Sequence, residues 1–182
     1  MTNSKDNLIA KRYSDALLSL VRENNADVQN INSQLKSIKE VLVTSSDLSS
    51  FLSNPIISAE DKKDVVSKLL NDKVDVILIN FIKLLIDKER FFAFEEISNI
   101  FDAEVDNLNN IQKVSVTSAI ELNENLKNRL IEKLSYKLNK NIELVTNVDS
   151  DIIAGLIIKI DDNVIDMSLK HKFEEMKKQM IK

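Results

Sequence analysis

The residues of this chain that could do chemistry are mainly carboxylates, because it contains no cysteine and one histidine. Hard cations such as Ca²⁺ prefer oxygen ligands, and aspartates cluster in the C-terminal part of the sequence. A calcium-binding loop needs acidic residues at alternate positions, a glycine at the sixth and a glutamate at the twelfth. The cluster lacks that spacing, so turn and capping roles are favoured over a metal site. Its members are Asp149, Asp151, Asp161, Asp162 and Asp166.

The other candidate catalytic groups also favour structural roles. His171 lies in a charged run, where a solvated helix position is the expectation. The pairs Asp61 with Asp64 and Glu95 with Glu96 could exchange protons, but such neighbours on a charged helix face are usually solvated. Phosphate-binding loops need two or three glycines at fixed spacing, and the chain has one. The sequence therefore predicts no catalytic residue, no metal site and no cofactor.

Composition narrows the remaining functions. The chain has 182 residues, 43% of them apolar, which suffices for one ordinary domain or two small ones. Its net charge of -4 argues against a nucleic-acid binder, which needs a basic face to displace counterions from phosphate. The start has no apolar signal-peptide core, and no apolar run reaches the roughly 18 residues of a membrane span. We expect a cytoplasmic protein that does not insert into a membrane or bind nucleic acid.

The first part of the chain has apolar residues at helical spacing, separated by short polar joints. This pattern predicts a bundle of five or six amphipathic helices over residues 1–108. Residues 76–86 are almost entirely apolar, so their helix is expected at the centre of the bundle. The rings of Phe91, Phe92 and Phe94 are predicted to fill its core.

The pattern changes near residues 107–112 to runs rich in Val, Ile and Thr, where we place a domain boundary. Residues 109–182 are predicted to form a small mixed α/β domain with a β-hairpin and a terminal helix. The fold class is thus mainly α with a small α/β part. The predicted elements are strand 113–118, helix 123–138, strand 142–148, a strand 156–160 buried on both faces, a hairpin partner 164–167 and the terminal helix.

Gly155 is the most informative single residue, because nearly every other turn is built without glycine. Its position after Ala154, at the entry to strand 156–160, suggests a positive φ or a close backbone approach. We therefore interpret Ala154 and Gly155 as a structural turn.

Several segments together resemble one family. The most specific runs from Val148 through Ala154-Gly155 to Ile160, and continues through Val164-Ile165-Asp166-Met167-Ser168. Supporting segments are residues 10–17 (AKRYSDAL), 51–55 (FLSNP) and 80–90 (NFIKLLIDKER). They resemble the delta subunit of bacterial F-type ATP synthases, related to the mitochondrial oligomycin-sensitivity-conferring protein. The resemblance spans nearly the whole chain. Two departures are Ser14, where the family commonly has Ala, and Ala154, where many members have Gly.

The resemblance implies a mechanical role without catalysis. In this family the helical domain grips the amphipathic N-terminal helix of an alpha subunit, and the C-terminal domain joins the peripheral-stalk b subunits. A single copy per complex would then hold the catalytic head still against rotation of the central stalk. The implied location is peripheral, at the cytoplasmic face of the bacterial inner membrane.

The resemblance also implies which residues meet each partner. The groove for the alpha-subunit helix would lie between the first and the central helix, and some of its residues must be core. Ala16 is the sharpest member, because a small side chain lets a partner helix approach closely. The groove residues are Tyr13, Ala16, Leu17 and Leu20 on one wall and Asn80, Leu84, Leu85 and Lys88 on the other. For the b subunits, the region after Gly155 and the terminal helix with Phe173, Met176 and Met180 are predicted.

Two alternatives stay open at this stage. A generic helical adaptor for an amphipathic peptide of another complex would share the same surfaces. A metal-dependent hydrolase built on the aspartate cluster would require tight divalent-metal binding, and it ranks far lower.

Overall fold

The computed structural model describes residues 4–71 and 73–180. The chain divides into two compact units, Met1–Val105 (unit 1) and Asp106–Lys182 (unit 2), so the division falls in the last turn of a helix that the sequence assigns wholly to the first domain. Six helices form the first part: α1 Ser4–Glu23, α2 Val28–Thr44, α3 Ser46–Ser53, α4 Ala59–Leu70, α5 Val76–Asp87 and α6 Phe94–Leu108. The remaining elements are β1 Ile111–Ser118, α7 Glu124–Leu138, β2 Asn141–Val148, β3 Leu156–Ile160, β4 Asn163–Asp166 and α8 Leu169–Met180. The predicted fold class is confirmed.

Side-chain caps explain where several helices begin. The Asp27 carboxylate accepts a hydrogen bond from the Gln29 amide at 2.9 Å, and the Asp75 carboxylate accepts one from the Ile77 amide at 2.8 Å. These caps satisfy amide groups that have no partner inside the helix. The Gln34 side-chain oxygen accepts a hydrogen bond from the Asp75 amide at 2.7 Å, which ties α2 to the start of α5.

The core of unit 1 gathers around α5, whose apolar residues are buried along most of its length. Leu17 of α1, Leu35 of α2 and Phe101 of α6 are among its fully buried side chains. The rings of Phe91 and Phe94 stack with centroids 5.6 Å apart. The prediction that all three rings of this cluster fill the core is wrong for Phe92. A short 3-10 turn over Phe91–Ala93 leads into α6, and the Phe92 ring is exposed there.

Unit 2 is built on a four-stranded sheet with the order β2-β1-β3-β4. β1 pairs parallel with β2, whereas β3 is antiparallel to both β1 and β4. Leu134 of α7 packs with Val114, Val116 and Ile158 of the sheet. The prediction that β3 is buried on both faces is wrong, because Lys159 is exposed. Successive side chains of a strand point to opposite faces, and α7 covers the face that holds Ile158.

None of the helices that the structure describes is long and apolar enough to cross a membrane.

Candidate docking surfaces

α1 carries apolar residues that the bundle does not bury. Ala16 is exposed, and 42% of the Leu20 side chain is accessible to solvent. Leu8 and Arg12 continue this exposed row, since the four residues are spaced four apart and so lie along one face of the helix. The family resemblance points to Ala16 and Leu20. It misses Leu8, although the spacing of Leu8 from Ala16 is a signal for it.

α5 exposes a second row with the same spacing. Leu84 is 42% exposed, Val76 and Asn80 are exposed on the same helix face, and Lys88, which caps the end of α5, is exposed one turn further on. Sequence reasoning misses Val76 because it is the first residue of the helix, directly after the cap. At that position the spacing of apolar residues does not distinguish a buried side chain from an exposed one. A groove that binds an amphipathic helix needs exposed apolar side chains of this kind on its walls.

The two exposed rows belong to helices that touch each other. The ring of Tyr13 on α1 meets the ring of Phe81 on α5 edge to face, with centroids 6.3 Å apart. Tyr13 is half-buried and Phe81 is buried, so this pair forms part of the joint between the helices. Aromatic pairs in this geometry add about 0.5–1.5 kcal/mol beyond the area they bury.

Two of the eight groove residues lie elsewhere. Leu17 and Leu85 have no exposed surface and belong to the core of unit 1. Leu84 and Leu85 are neighbours in sequence, but they are turned about 100° apart around the helix axis. The candidate α1/α5 surface, as the name is used below, therefore consists of Tyr13, Ala16 and Leu20 on α1, Asn80 and Leu84 on α5, and Lys88, the residue that caps the end of α5.

A shallow hollow of about 390 Å³ opens beside Ala16. Ile9 and Tyr13 supply apolar lining, and Arg12 and Arg90 line it as well. Arg90 also lies over the Phe92 ring, with its guanidinium carbon 5.9 Å from the centroid. A lining that combines apolar side chains with two cations suits a partner side chain that carries a negative charge.

Ser14, at a position where the family commonly has Ala, makes a polar contact between two helices. Its side chain is buried, and its hydroxyl donates a hydrogen bond to Glu104 on α6 at 3.0 Å. Partial burial raises the pKa of Glu104, and a hydrogen bond with the Asp15 carboxyl raises it further, while the Ser14 bond opposes both. The serine thus links α1 to α6 through a polar contact, where an alanine would make none.

In unit 2, the turn before β3 requires a glycine. Gly155 has φ of +98°, which L side chains rarely adopt. A Cβ at this position would overlap the main-chain oxygen of Met167 and lie 3.0 Å from the Cα of Ser168. The carbonyl of Ala154 accepts a hydrogen bond from the Leu169 amide at 2.8 Å. The turn therefore fastens the start of β3 to the start of α8.

The family-like segment 164–168 leads into α8. The Asp166 carboxylate accepts a hydrogen bond from the Ser168 amide at 2.8 Å, and the Ser168 hydroxyl accepts one from the His171 amide at 3.1 Å. Hydrogen bonds from Ser168 lower the pKa of Asp166. Asp149 has a similar turn role, since its carboxylate accepts a hydrogen bond from the Asp151 amide at 2.9 Å. Among the described residues, no group of three or more metal-binding side chains comes together.

α8 leaves its apolar residues uncovered. Leu169, Phe173 and Met176 are exposed, and their spacing of four and three residues places them on one helix face. The side chain of Met180 lies outside the described part of the structure. Phe173 and Met176 are thus available to a partner, as an adaptable methionine-containing face would be.

Comparisons with other proteins agree along most of the chain. The profile of the family described as ATP synthase delta (OSCP) subunit matches residues 9–180. ATP synthase subunit delta of Trichodesmium erythraeum is 37% identical over 89% of this chain and 89% of its own length. The protein of the same name from Clostridium botulinum is 33% identical over 94% of this chain and 96% of its own. The chloroplastic protein of Galdieria sulphuraria is 36% identical over 91% and 94%.

A solved structure shares the fold. A chain in the mitochondrial ATP synthase hexamer of Toxoplasma gondii superposes with a TM-score of 0.71, covering 95% of this chain and 97% of that one at 18% identity. Together with the profile match, the fold defines the class of protein as a structural subunit of an ATP synthase. The chain belongs to the ATP synthase delta (OSCP) subunit family and is a non-catalytic, structural subunit of the F-type ATP synthase peripheral stalk.

Proposed function

We propose that this protein holds the catalytic head to the stalk by binding a different partner with each unit. Unit 1 would take the amphipathic N-terminal helix of an alpha subunit on the α1/α5 surface, and unit 2 would join the C-terminal ends of the b subunits. One copy per complex, peripheral at the cytoplasmic face of a bacterial inner membrane, fits this role. A link of this kind resists the torque of the rotor and so keeps rotation coupled to ATP synthesis.

The observation that carries the first contact, with the alpha-subunit helix, is the pair of exposed rows on α1 and α5. Each contains an apolar side chain that remains 42% exposed, Leu20 in one and Leu84 in the other. An amphipathic helix would cover both, and burial of apolar surface contributes roughly 25 cal/mol per Å². Arg12 and Arg90, which line one hollow together with Ala16, favour a partner helix with an acidic residue near its apolar face.

The second contact, with the b subunits, is supported by the uncovered face of α8. Phe173 and Met176 remain exposed although α8 is anchored at its start by Ser168 and by the turn at Gly155. Because an anchored helix is already ordered, a partner that binds its exposed apolar face loses no free energy in ordering it.

Calorimetric titration of the full chain with a synthetic N-terminal peptide of the alpha subunit from the same organism tests the first contact. We expect saturable one-to-one binding. Ala16→Asp should weaken it by about 2 kcal/mol or more, roughly 30-fold in Kd, because the charge would be desolvated against an apolar helix face. Helix content and melting temperature should stay close to those of the wild type, since Ala16 is exposed.

Ala59→Asp is the matched control. Ala59 is an exposed first residue of α4 outside the α1/α5 surface, where an acidic side chain suits the helix N-terminus. It should leave the affinity unchanged. Equal affinities of Ala16→Asp and wild type would exclude the α1/α5 surface as the site. Absence of peptide binding by the folded wild-type chain would favour an adaptor for some other amphipathic helix.

A further inference from the structure

Unit 2 contains a hollow of about 590 Å³ that no sequence pattern predicts. It lies between the loop that follows β1, one side of α7 and the turn at Gly155. The lining is apolar apart from one serine and two cations, and it is separate from the exposed face of α8. The lining residues from the end of β1, the loop, the turn and the start of β3 are Ser118, Ala119, Ile120, Leu122, Ile153, Ala154, Gly155 and Leu156, and those from α7 are Leu126, Arg129, Leu130 and Lys133.

Large apolar side chains around this hollow face solvent. Ile120 is 75% exposed and Ile153 is 60% exposed, and Leu126 on α7 is also exposed. Single exposed apolar residues are ordinary, but three around one concave surface mark a place where another protein binds.

The backbone holds one of these side chains in a strained conformation. Ile153 has φ of +67° and ψ of -59°, and the Ala154 amide donates to the Ile152 carbonyl at 2.8 Å across it. This is the rare form of the three-residue turn, and a positive φ is exceptional for a β-branched residue. Such strain persists only where the surroundings enforce it, and it concentrates at functional positions.

The two cations at the hollow stand one helical turn apart. Arg129 and Lys133 are spaced four residues on α7, so their side chains lie on one face of it. Within residues 4–71 and 73–180, neither has an ion-pair or hydrogen-bond partner. The ion pair of α7 is elsewhere on the helix, between Lys127 and Glu124. The hollow thus combines an apolar floor with two unneutralised positive charges.

We propose that this hollow, bounded by Ile120, Ile153 and the Arg129–Lys133 face of α7, binds an acidic amphipathic helix. Apolar side chains of that helix fill the hollow, and two carboxylates spaced three or four residues apart pair with Arg129 and Lys133. The inference rests on the proposed function, because it identifies the helix as the C-terminal segment of a b subunit. It assigns the specificity of the contact to α7 and the Gly155 turn, with α8 as a second, apolar contact.

The test is titration of the full chain with a synthetic peptide that matches the C-terminal segment of the b subunit from the same organism. Arg129→Glu and Lys133→Glu should each raise Kd about tenfold, because each places like charges opposite one another. The wild-type affinity should fall as salt is raised, and the salt dependence should be weaker in both variants. Ala119→Phe should also weaken binding, since its ring would occupy the hollow without any change of charge.

Lys137→Glu is the matched control. It makes the same charge reversal on the same helix, one turn beyond Lys133 and outside the lining. It should change Kd less than twofold. Circular dichroism and melting of every variant would show that unit 2 is folded, as expected because Arg129, Lys133 and Lys137 are exposed and Ala119 is half-buried beside an open hollow.

The outcomes separate the two proposals. If the wild-type chain does not bind the b-subunit peptide, the proposed function of unit 2 is wrong. If it binds and Phe173→Asp abolishes binding while the Arg129, Lys133 and Ala119 variants bind normally, unit 2 still joins the b subunits and the hollow is not the site. Loss of binding in the three hollow variants with retention in Lys137→Glu would establish the inference.

Discussion

The two units of this chain are stabilised in different ways. Unit 1 is a bundle in which every helix contributes side chains to one apolar core, with residues such as Leu17, Leu35 and Phe101 fully enclosed. Unit 2 has a smaller core, and its fully buried apolar side chains, Val114 and Val116, come from a single strand. Its shape depends more on strand pairing and on backbone turns such as that at Gly155. The stability of unit 1 should therefore depend mainly on side-chain volume, and the stability of unit 2 should depend mainly on backbone conformation.

The largest effect is expected from Leu85→Ala in unit 1. Leu85 is fully buried, so its loss leaves a cavity and should reduce the free energy of unfolding by about 2–5 kcal/mol. The same change at Leu84, its exposed neighbour, should cost less than about 1 kcal/mol. Denaturant unfolding of both variants measures the difference. Similar losses would contradict the assignment of Leu85 to the core and Leu84 to the surface.

A smaller effect is expected from Gly155→Ala in unit 2. The added Cβ meets the backbone of Met167 and must adopt φ of +98°, which together should cost about 1–3 kcal/mol. Amide hydrogen exchange should locate the loss in unit 2 and leave α1 to α5 protected as in the wild type. Ile153→Gly is the control in the same turn, because it relieves a positive φ. It should leave stability within about 0.5 kcal/mol. Loss of protection throughout unit 1 would mean that the units do not unfold independently.

The smallest effect concerns Glu104, a half-buried residue of α6 that accepts a hydrogen bond from Ser14. Because its pKa is raised in the folded protein, the stability that this group contributes is present below its ordinary pKa and is lost as the pH rises through the folded value. Glu104→Gln keeps an acceptor for Ser14 and removes the charge beside Asp15. At pH 7 it should raise the melting temperature by about 1 °C, and below about pH 4 the difference should vanish. A lower melting temperature at pH 7 would show that the carboxylate stabilises the bundle.

The sequence by itself determined the elements of both units and the family. Spacing of apolar residues predicts the bundle, and β3 is predicted with the bounds that the structure shows, because turn residues flank a short apolar run. Gly155 stands out because so few glycines occur. These are local signals, set by helical and strand periodicity and by what a missing Cβ permits.

Only the tertiary structure decided which apolar residues are surface. Leu84 and Leu85 have the same side chain and opposite burial, because the helices packed against α5 cover one of them and not the other. The same holds for Phe92, for the open face of β3, and for the hollow beside Arg129. Each of these depends on segments distant in sequence, and periodicity within one segment carries no information about what packs against it.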